Sequence, residues 1–110
     1  MTYASSGLDR IRDINAFDDK RVFFYSVDFK EEISEGVIKE LNDVEYILHL
    51  GAESHVNNSI EDPYPFIMSN VLGTHNMLWF ARKLNNLKGF LYFSTDECYG
   101  PAPQGIYFKE

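Results

Sequence analysis

A chain of 110 residues with 45% hydrophobic and 25% charged side chains has the make-up of one small globular domain with a modest core, which excludes a wholly disordered tail. Ten basic against 17 acidic residues leave a formal charge of −7 scattered along the chain, so a phosphate backbone would meet net repulsion and nucleic acid is not an expected partner. Cys98 is the single cysteine, which excludes an intramolecular disulfide and a cysteine-built metal cage; no apolar run approaches the ~18 residues of a membrane span, so no membrane partner is expected and the cytoplasm is the expected location.

Residues 21–28 are rich in Val, Phe and Tyr and stop at Asp28 before a charged stretch, which predicts a buried strand running into a loop. Over 30–42 the period changes. Ile33, Val37, Ile38 and Leu41 share one helical face with Glu and Lys on the other, predicting an amphipathic helix in which Gly36 costs about 1 kcal/mol. Residues 44–50 form a second apolar run that ends at Gly51, and continuous runs of this kind suit strands covered on both faces of a parallel sheet. A loop is predicted over 52–61, where Asn57, Asn58 and Ser59 favour irregular backbone. Asp62 then reads as an N-cap with Pro63 at the first helical position, opening a long helix to about residue 85. Its apolar residues spread over more than one face, so it is predicted to be covered on two sides. Residues 89–95 give a third strand, bounded by a polar run and then Gly100-Pro101. Strand, helix, strand, helix, strand is the alternation of a doubly wound α/β fold.

In open parallel sheets ligands bind beyond the carboxyl ends of the strands, so Asp28, residues 51–54 and residues 95–97 are expected to converge there. Four segments carry a resemblance to known proteins: Val27-Asp28, Leu50-Gly51-Ala52-Glu53-Ser54-His55-Val56, Asn70-Val71-Leu72-Gly73-Thr74 and Ser94-Thr95-Asp96-Glu97-Cys98-Tyr99-Gly100. Together they resemble the extended short-chain dehydrogenase/reductases, and within them the NAD-dependent nucleotide-sugar 4,6-dehydratases. Asp-Glu after the Thr is the most specific feature, since related epimerases usually carry a Ser-Ser or similar pair there. The departures are Gly51 where Ala is usual, Asn57 where Asp is usual and Cys98 where Val is usual. The family also has a first strand with a G-x-x-G-x-x-G turn and a later Tyr-x-x-x-Lys pair, and neither motif occurs here. Residues 1–110 are therefore expected to be part of one NAD(P)-binding Rossmann-like domain, a partial doubly wound sheet without its first strand and substrate domain, inactive alone. In the family's sheet order, the strands at 21 and 44 would not be neighbours.

The resemblance implies NAD as cofactor and a nucleoside-diphosphate glucose as substrate. Cofactor contacts are implied for Thr2 at the end of the family's second strand, Asp28 and Phe29 at the adenine, Leu50, Gly51, Ala52, Glu53 and Ser54 beside the ribose and nicotinamide, and Ser69 with Asn70 on the long helix. Substrate contacts fall on Ser54, His55 and Thr95. Taken as residues alone, Asp28 reads as a loop acid, residues 50–54 as a turn, Ser69 and Asn70 as solvated or carbonyl-bonded polar groups, and Asp96-Glu97 as a solvated turn. Eliminating water across two sugar carbons requires a base for the proton beside a transient ketone and an acid for the departing hydroxyl, and neighbouring carboxyls suit both posts. By the resemblance Asp96 is the acid, Glu97 the base, and Thr95 bonds the hydroxyl being oxidised. His49, His55 and His75 lack metal-ligand spacing, so no metal is expected and core or local hydrogen bonding is the reading for them. Cys98 is expected to pack, and the Met77, Trp79 and Phe80 cluster to divide between the sheet and a partner subunit, a homodimer formed through the helix over 64–85. The alternatives are an epimerase or decarboxylase of the same superfamily, or a non-catalytic truncated module that retains the dimer helix.

Overall fold

In the computed structural model, residues 11–107 are described, the side chain of Asp96 excepted. Thr2 and the residues beside it lie outside the described part. The fold is α/β. Strands β1 (Tyr46–His49) and β2 (Gly89–Tyr92) form a two-stranded parallel sheet in which Tyr46 faces Gly89 and His49 faces Tyr92. Parallel neighbours require a long crossover, and here it is helical. Helix α1 (Glu35–Glu40) precedes β1, and α2 (Val56–Glu61), α3 (Tyr64–Phe66), a π-helical segment (Ile67–Leu72) and α4 (Gly73–Lys83) lie between the strands. A 3-10 turn (Asp96–Tyr99) follows β2.

Local chemistry accounts for the ends of these elements. Ser34 caps α1 by accepting the Val37 N–H, with Glu35 in the first turn and Lys39 in the last, both favourable to the helix dipole. Asp62 serves two helices: its N–H donates to the Asn58 carbonyl at the end of α2, and its carboxylate accepts from the Tyr64 N–H at the start of α3. From α3 through the π segment to α4 the junction residues all stay right-handed helical, so the three run on as one rod. At the amino ends of the strands, Asn85 donates to Asn42 (3.1 Å), Asn86 to Asp43 (3.2 Å), and Lys88 pairs with Glu45.

The core sits on one face of the sheet. Ile33, Ile47, Phe80, Ala81 and Leu84 are buried, with Val37, Ile38, Leu41, Met77 and Phe90 packed around them, so α1 and α4 cover the same side. The opposite side is bare: Tyr46 is 62% exposed and Leu48 61%. The expectation that both faces are covered is therefore corrected. An apolar run reports what a strand can bury, whereas covering requires a second layer, and among the described residues none lies on that side.

Two further expectations change. Residues 21–28 form no strand, because a strand's backbone groups need a ladder partner and none of the described segments lies alongside. Phe17 and Phe24 instead stack on each other at 4.6 Å. The predicted loop over 52–61 contains α2, in which the Ser59 hydroxyl donates to the Val56 carbonyl at 2.7 Å, a local bond that polar residue types supply within a helix. Within the chain the long helix is covered on one side, where Phe80 and Ala81 are buried, while Ile67, Val71, Leu78 and Trp79 on the side expected to meet a partner subunit are exposed.

Candidate active site

Because β1 and β2 run parallel, the backbone leaves both strands at the same end of the sheet. There the two following segments enclose an open cavity of about 390 Å³. Leu50, Ala52, Glu53 and Ser54 form one wall, Thr95 and Glu97 the opposite one, and Asn70 reaches in from the π segment. Two of the three groups expected to converge, the loop after β1 and the turn after β2, thus meet around a single space.

The first wall is held from outside. Between residues 51 and 54 no backbone–backbone hydrogen bond forms among the described residues. Instead the Glu53 N–H donates to Asn70 Oδ1 at 2.8 Å, and Asn70 Nδ2 donates to the Glu53 carbonyl at 2.9 Å. Asn70 is therefore carbonyl-bonded, one of the two readings its residue type allowed. The opposite wall is organised by Thr95, which caps the 3-10 turn by accepting the Glu97 N–H at 3.3 Å. Gly100 ends the turn at φ 71°, a conformation that a side chain would strain. This cap sets the exposed Glu97 carboxylate at the cavity's edge. Asp96 begins the turn, and its side chain lies outside the description.

The remaining candidates are spread around this centre. Asp28 is exposed, its carboxylate accepting the Lys30 N–H at 3.0 Å and standing 3.4 Å from the Lys30 ammonium; it does not line the cavity. Phe29 is half-buried, its ring edge-on to His49 and seated where Gly51 and Gly73 lack side chains. A Cβ at Gly73 would stand 2.2 Å from that ring, so the glycine is required for the close approach. Asn76 ties the same segment to α4 by donating to the carbonyls of Phe29 (3.1 Å) and Lys30 (2.9 Å). Ser69 is buried in the π segment, and His55 is exposed at the start of α2; neither lines the cavity.

His49 is a core histidine. It is 5% exposed, its Nε2 lies 3.2 Å from Thr74 Oγ1, and Phe29, Phe90 and Tyr92 surround its ring. Burial holds its pKa below the ordinary histidine value. Cys98, expected to pack, is exposed with its Sγ 3.6 Å from Ser94 Oγ, because the 3-10 turn projects away from the core. Trp79 is half-exposed with the Arg82 guanidinium 5.0 Å above its ring, whereas Phe80 is core. Sequence reasoning did not assign Tyr92, Phe93 and Ser94 to the cavity, although their place at the end of a strand was the available signal. The Asn70 clamp carried no such signal, since it joins residues 17 apart.

A family profile described as GDP-mannose 4,6 dehydratase matches residues 2–110. Among curated proteins, a dTDP-glucose 4,6-dehydratase of Escherichia coli is 34% identical over 112 residues, covering 94% of this chain and 30% of that protein. A probable dTDP-glucose 4,6-dehydratase of Sinorhizobium fredii is 33% identical over 118 residues, covering 100% of this chain and 33% of its own length. A trifunctional plant protein of Arabidopsis thaliana, whose first named activity is UDP-glucose 4,6-dehydratase, is 34% identical over 62 residues, 56% of this chain and 9% of that protein. No solved structure matches. The chain thus spans about a third of the length of the curated relatives it matches along most of its own. With nearly every residue inside the matched profile and the two matched loops facing each other across one cavity, this chain belongs to the GDP-mannose 4,6 dehydratase family, a family of nucleotide-sugar 4,6-dehydratases.

Proposed function

We propose that the whole protein converts a nucleoside-diphosphate glucose to its 4-keto-6-deoxy sugar, with NAD as cofactor and the cavity after β1 and β2 as the reaction site. The observation that carries this reading is the meeting of Ala52, Glu53 and Ser54 with Thr95 and Glu97 around one open space. NAD fits the donor set there: Ala52 and Ser54 are small enough for a ring to approach the backbone, and the exposed Asp28 carboxylate stands apart at the adenine's expected end. When bound, NAD supplies the hydride acceptor that turns the C4 alcohol into a ketone and returns the hydride to C6. The chain's own groups do the proton work. Thr95 bonds the C4 hydroxyl and Ser54 and His55 border the sugar. Glu97 takes the proton from C5 as the new ketone acidifies it, and Asp96 gives a proton to the C6 hydroxyl, which leaves as water while C5 and C6 become doubly bonded. Return of the proton held by Glu97 to C5 completes the product; the proton released from the C4 hydroxyl passes to a base supplied by the rest of the whole protein and makes good the one Asp96 gave, so the net change is loss of one water. Thr2, Phe29, Leu50, Gly51 and Ser69 belong to the proposed cofactor surround.

In this reading the two-stranded sheet is one part of a larger Rossmann-like, doubly wound sheet, and the exposed Ile67, Val71, Leu78 and Trp79 on the helical rod form a homodimer contact. A cytoplasmic setting suits a soluble sugar nucleotide; among the described residues no helix is long and apolar enough to cross a membrane. The test is to supply dTDP- or UDP-glucose and NAD in heavy water to the whole protein and follow the sugar. A 4-keto-6-deoxy product carrying deuterium at C5 is expected. Inversion at C4 with the C6 hydroxyl retained would make it an epimerase, and carbon dioxide released from a uronic acid would make it a decarboxylase.

A further inference from the structure

We propose that Gly51 and Phe29 form a matched positioning pair: the side chain absent at Gly51 admits the Phe29 ring, and the seated ring holds Asp28 where its carboxylate selects a 6-amino purine at the far end of the cofactor. The inference rests on the reading of NAD as cofactor and deepens it. Gly51 stands where Ala is usual in the family, and its backbone gives no reason for the change. Among the described glycines only Gly100 and Gly105 have positive φ, so an alanine would suit the Gly51 backbone and would lose less freedom on folding. What it would not suit is the neighbour: a Cβ at Gly51 would stand 3.1 Å from Phe29 Cε1 and 3.3 Å from Phe29 Cζ. Gly73 is alike, right-handed helical at φ −59° and ψ −45°, yet a Cβ there would overlap the same ring. Two glycines that no turn requires thus leave one slot, and the Phe29 ring fills it, edge-on to buried His49 at 5.8 Å.

The ring acts as an anchor because of what it is joined to. Residues 28–30 belong to no strand or helix, so no periodic ladder holds them. Asn76 donates to the carbonyls of Phe29 and Lys30, and the Asp28 carbonyl accepts the Glu31 N–H at 3.0 Å. These bonds orient the peptide groups, while the ring sets how far they stand from α4 and from the loop after β1. The Asp28 carboxylate is thereby given a fixed place: it accepts the Lys30 N–H at 3.0 Å, lies 3.4 Å from the Lys30 ammonium, and is 53% exposed. A carboxylate offers about four acceptor positions, so lone pairs remain for an incoming donor. A 6-amino purine supplies that donor. A 6-oxo purine presents a carbonyl oxygen instead, which repels the carboxylate and leaves it unpaired. The distinction is as sharp as the acceptor is well held, and the glycine slot is what holds it.

The test compares the whole protein, freed of bound nucleotide, with Gly51→Ala, with Phe29→Ile, and with the two combined, in which a smaller side chain takes the ring's place. Calorimetry gives Kd for NAD and for its hypoxanthine analogue, and the Gly51 Hα shifts of glycine-labelled, ligand-free protein report whether an aromatic ring lies against that residue. Wild type is expected to show ring-shifted Gly51 protons that Phe29→Ile returns to ordinary values, and to bind NAD about tenfold or more tightly than the analogue. Gly51→Ala is expected to weaken NAD about tenfold while the analogue stays within about twofold, and adding Phe29→Ile should bring the preference back. Gly51 protons that do not respond to Phe29→Ile overturn the seat. Gly51→Ala weakening both nucleotides equally, or neither, overturns the selecting role, as does a preference that the combined variant fails to recover. A wild type that binds NAD with this preference but turns over no dTDP- or UDP-glucose removes the dehydratase reading and leaves the pair standing. A wild type that binds neither nucleotide removes the NAD reading and the selecting role together, while the proton shifts still decide the seat.

Discussion

Glu97 and His49 show two different ways in which a side chain depends on its surroundings. Glu97 is exposed at the cavity edge, placed by the Thr95 cap, and its proposed work is to accept one proton. Glu97→Gln keeps the shape and removes the base, so in the whole protein the first oxidation should proceed at near wild-type rate while C5 proton loss slows about a hundred- to ten-thousandfold. Single-turnover absorbance would then show reduced cofactor that forms and persists. Loss of that absorbance, with C5 exchange from a supplied 4-keto sugar intact, would assign the base elsewhere. His49 is held neutral by burial beside Thr74, its pKa lowered in the folded state. The unfolded chain therefore binds the extra proton first. The stabilisation is fully present above the ordinary histidine pKa of about 6.5 and is lost as pH falls toward the lowered folded value, at up to about 1.4 kcal/mol per pH unit. Urea midpoints of the whole protein should show wild type losing more stability than His49→Gln between about pH 8 and pH 5.5. Equal losses would mean that His49 already titrates normally. The apolar strand around His49 made its burial legible, whereas its bond to Thr74, 25 residues away, was not.

Helix and strand periods were legible at the level of elements, but the role of each glycine within them was not. Gly36 lies exposed in α1, where an added Cβ meets only the Ser34 hydroxyl at 3.9 Å. Gly73 lies buried at the start of α4, where the same atom would meet Phe29 at 2.2 Å. The same substitution should therefore have opposite signs. Gly36→Ala is expected to stabilise by about 0.5–1 kcal/mol through lower unfolded-state entropy and better helix propensity. Gly73→Ala is expected to cost about 1–3 kcal/mol through overpacking, with partial recovery when Phe29→Leu is added. Denaturant titration of the whole protein decides both, and additive losses in the double variant would show that the Phe29 ring is not the obstacle. The π segment was likewise invisible in the periodicity, since its residues look like any amphipathic helix until Ser69 and Gly73 are seen buried and Val71 exposed.

The chain as a whole exposes more surface than its length calls for. Its accessible area is 9484 Å², against about 6,300 Å² for a compact monomer of this mass. Its radius of gyration is 16.8 Å, against about 13 Å for a compact domain of this length. Tyr46, Leu48 and Leu91 stand bare on one sheet face, and the helical rod adds Ile67 and Val71. The isolated 110-residue chain is accordingly expected to self-associate or to unfold without a sharp transition, because an apolar face of this kind seeks cover. Sedimentation velocity with urea titration checks this, and a concentration-independent monomer with one steep transition would contradict it. The α/β class, the two strands β1 and β2, the amphipathic helix over α1 and the polar segments at the strand ends were all determined by the sequence alone, because periodicity and short motifs are properties of neighbours along the chain. Which sheet face is covered, that residues 21–28 find no ladder, that Phe29 fills a glycine cradle and that Asn70 clamps Glu53 were decided only by the tertiary structure. Those features depend on which distant segments meet, across separations as long as the 47 residues between Phe29 and Asn76, and no local pattern records such meetings.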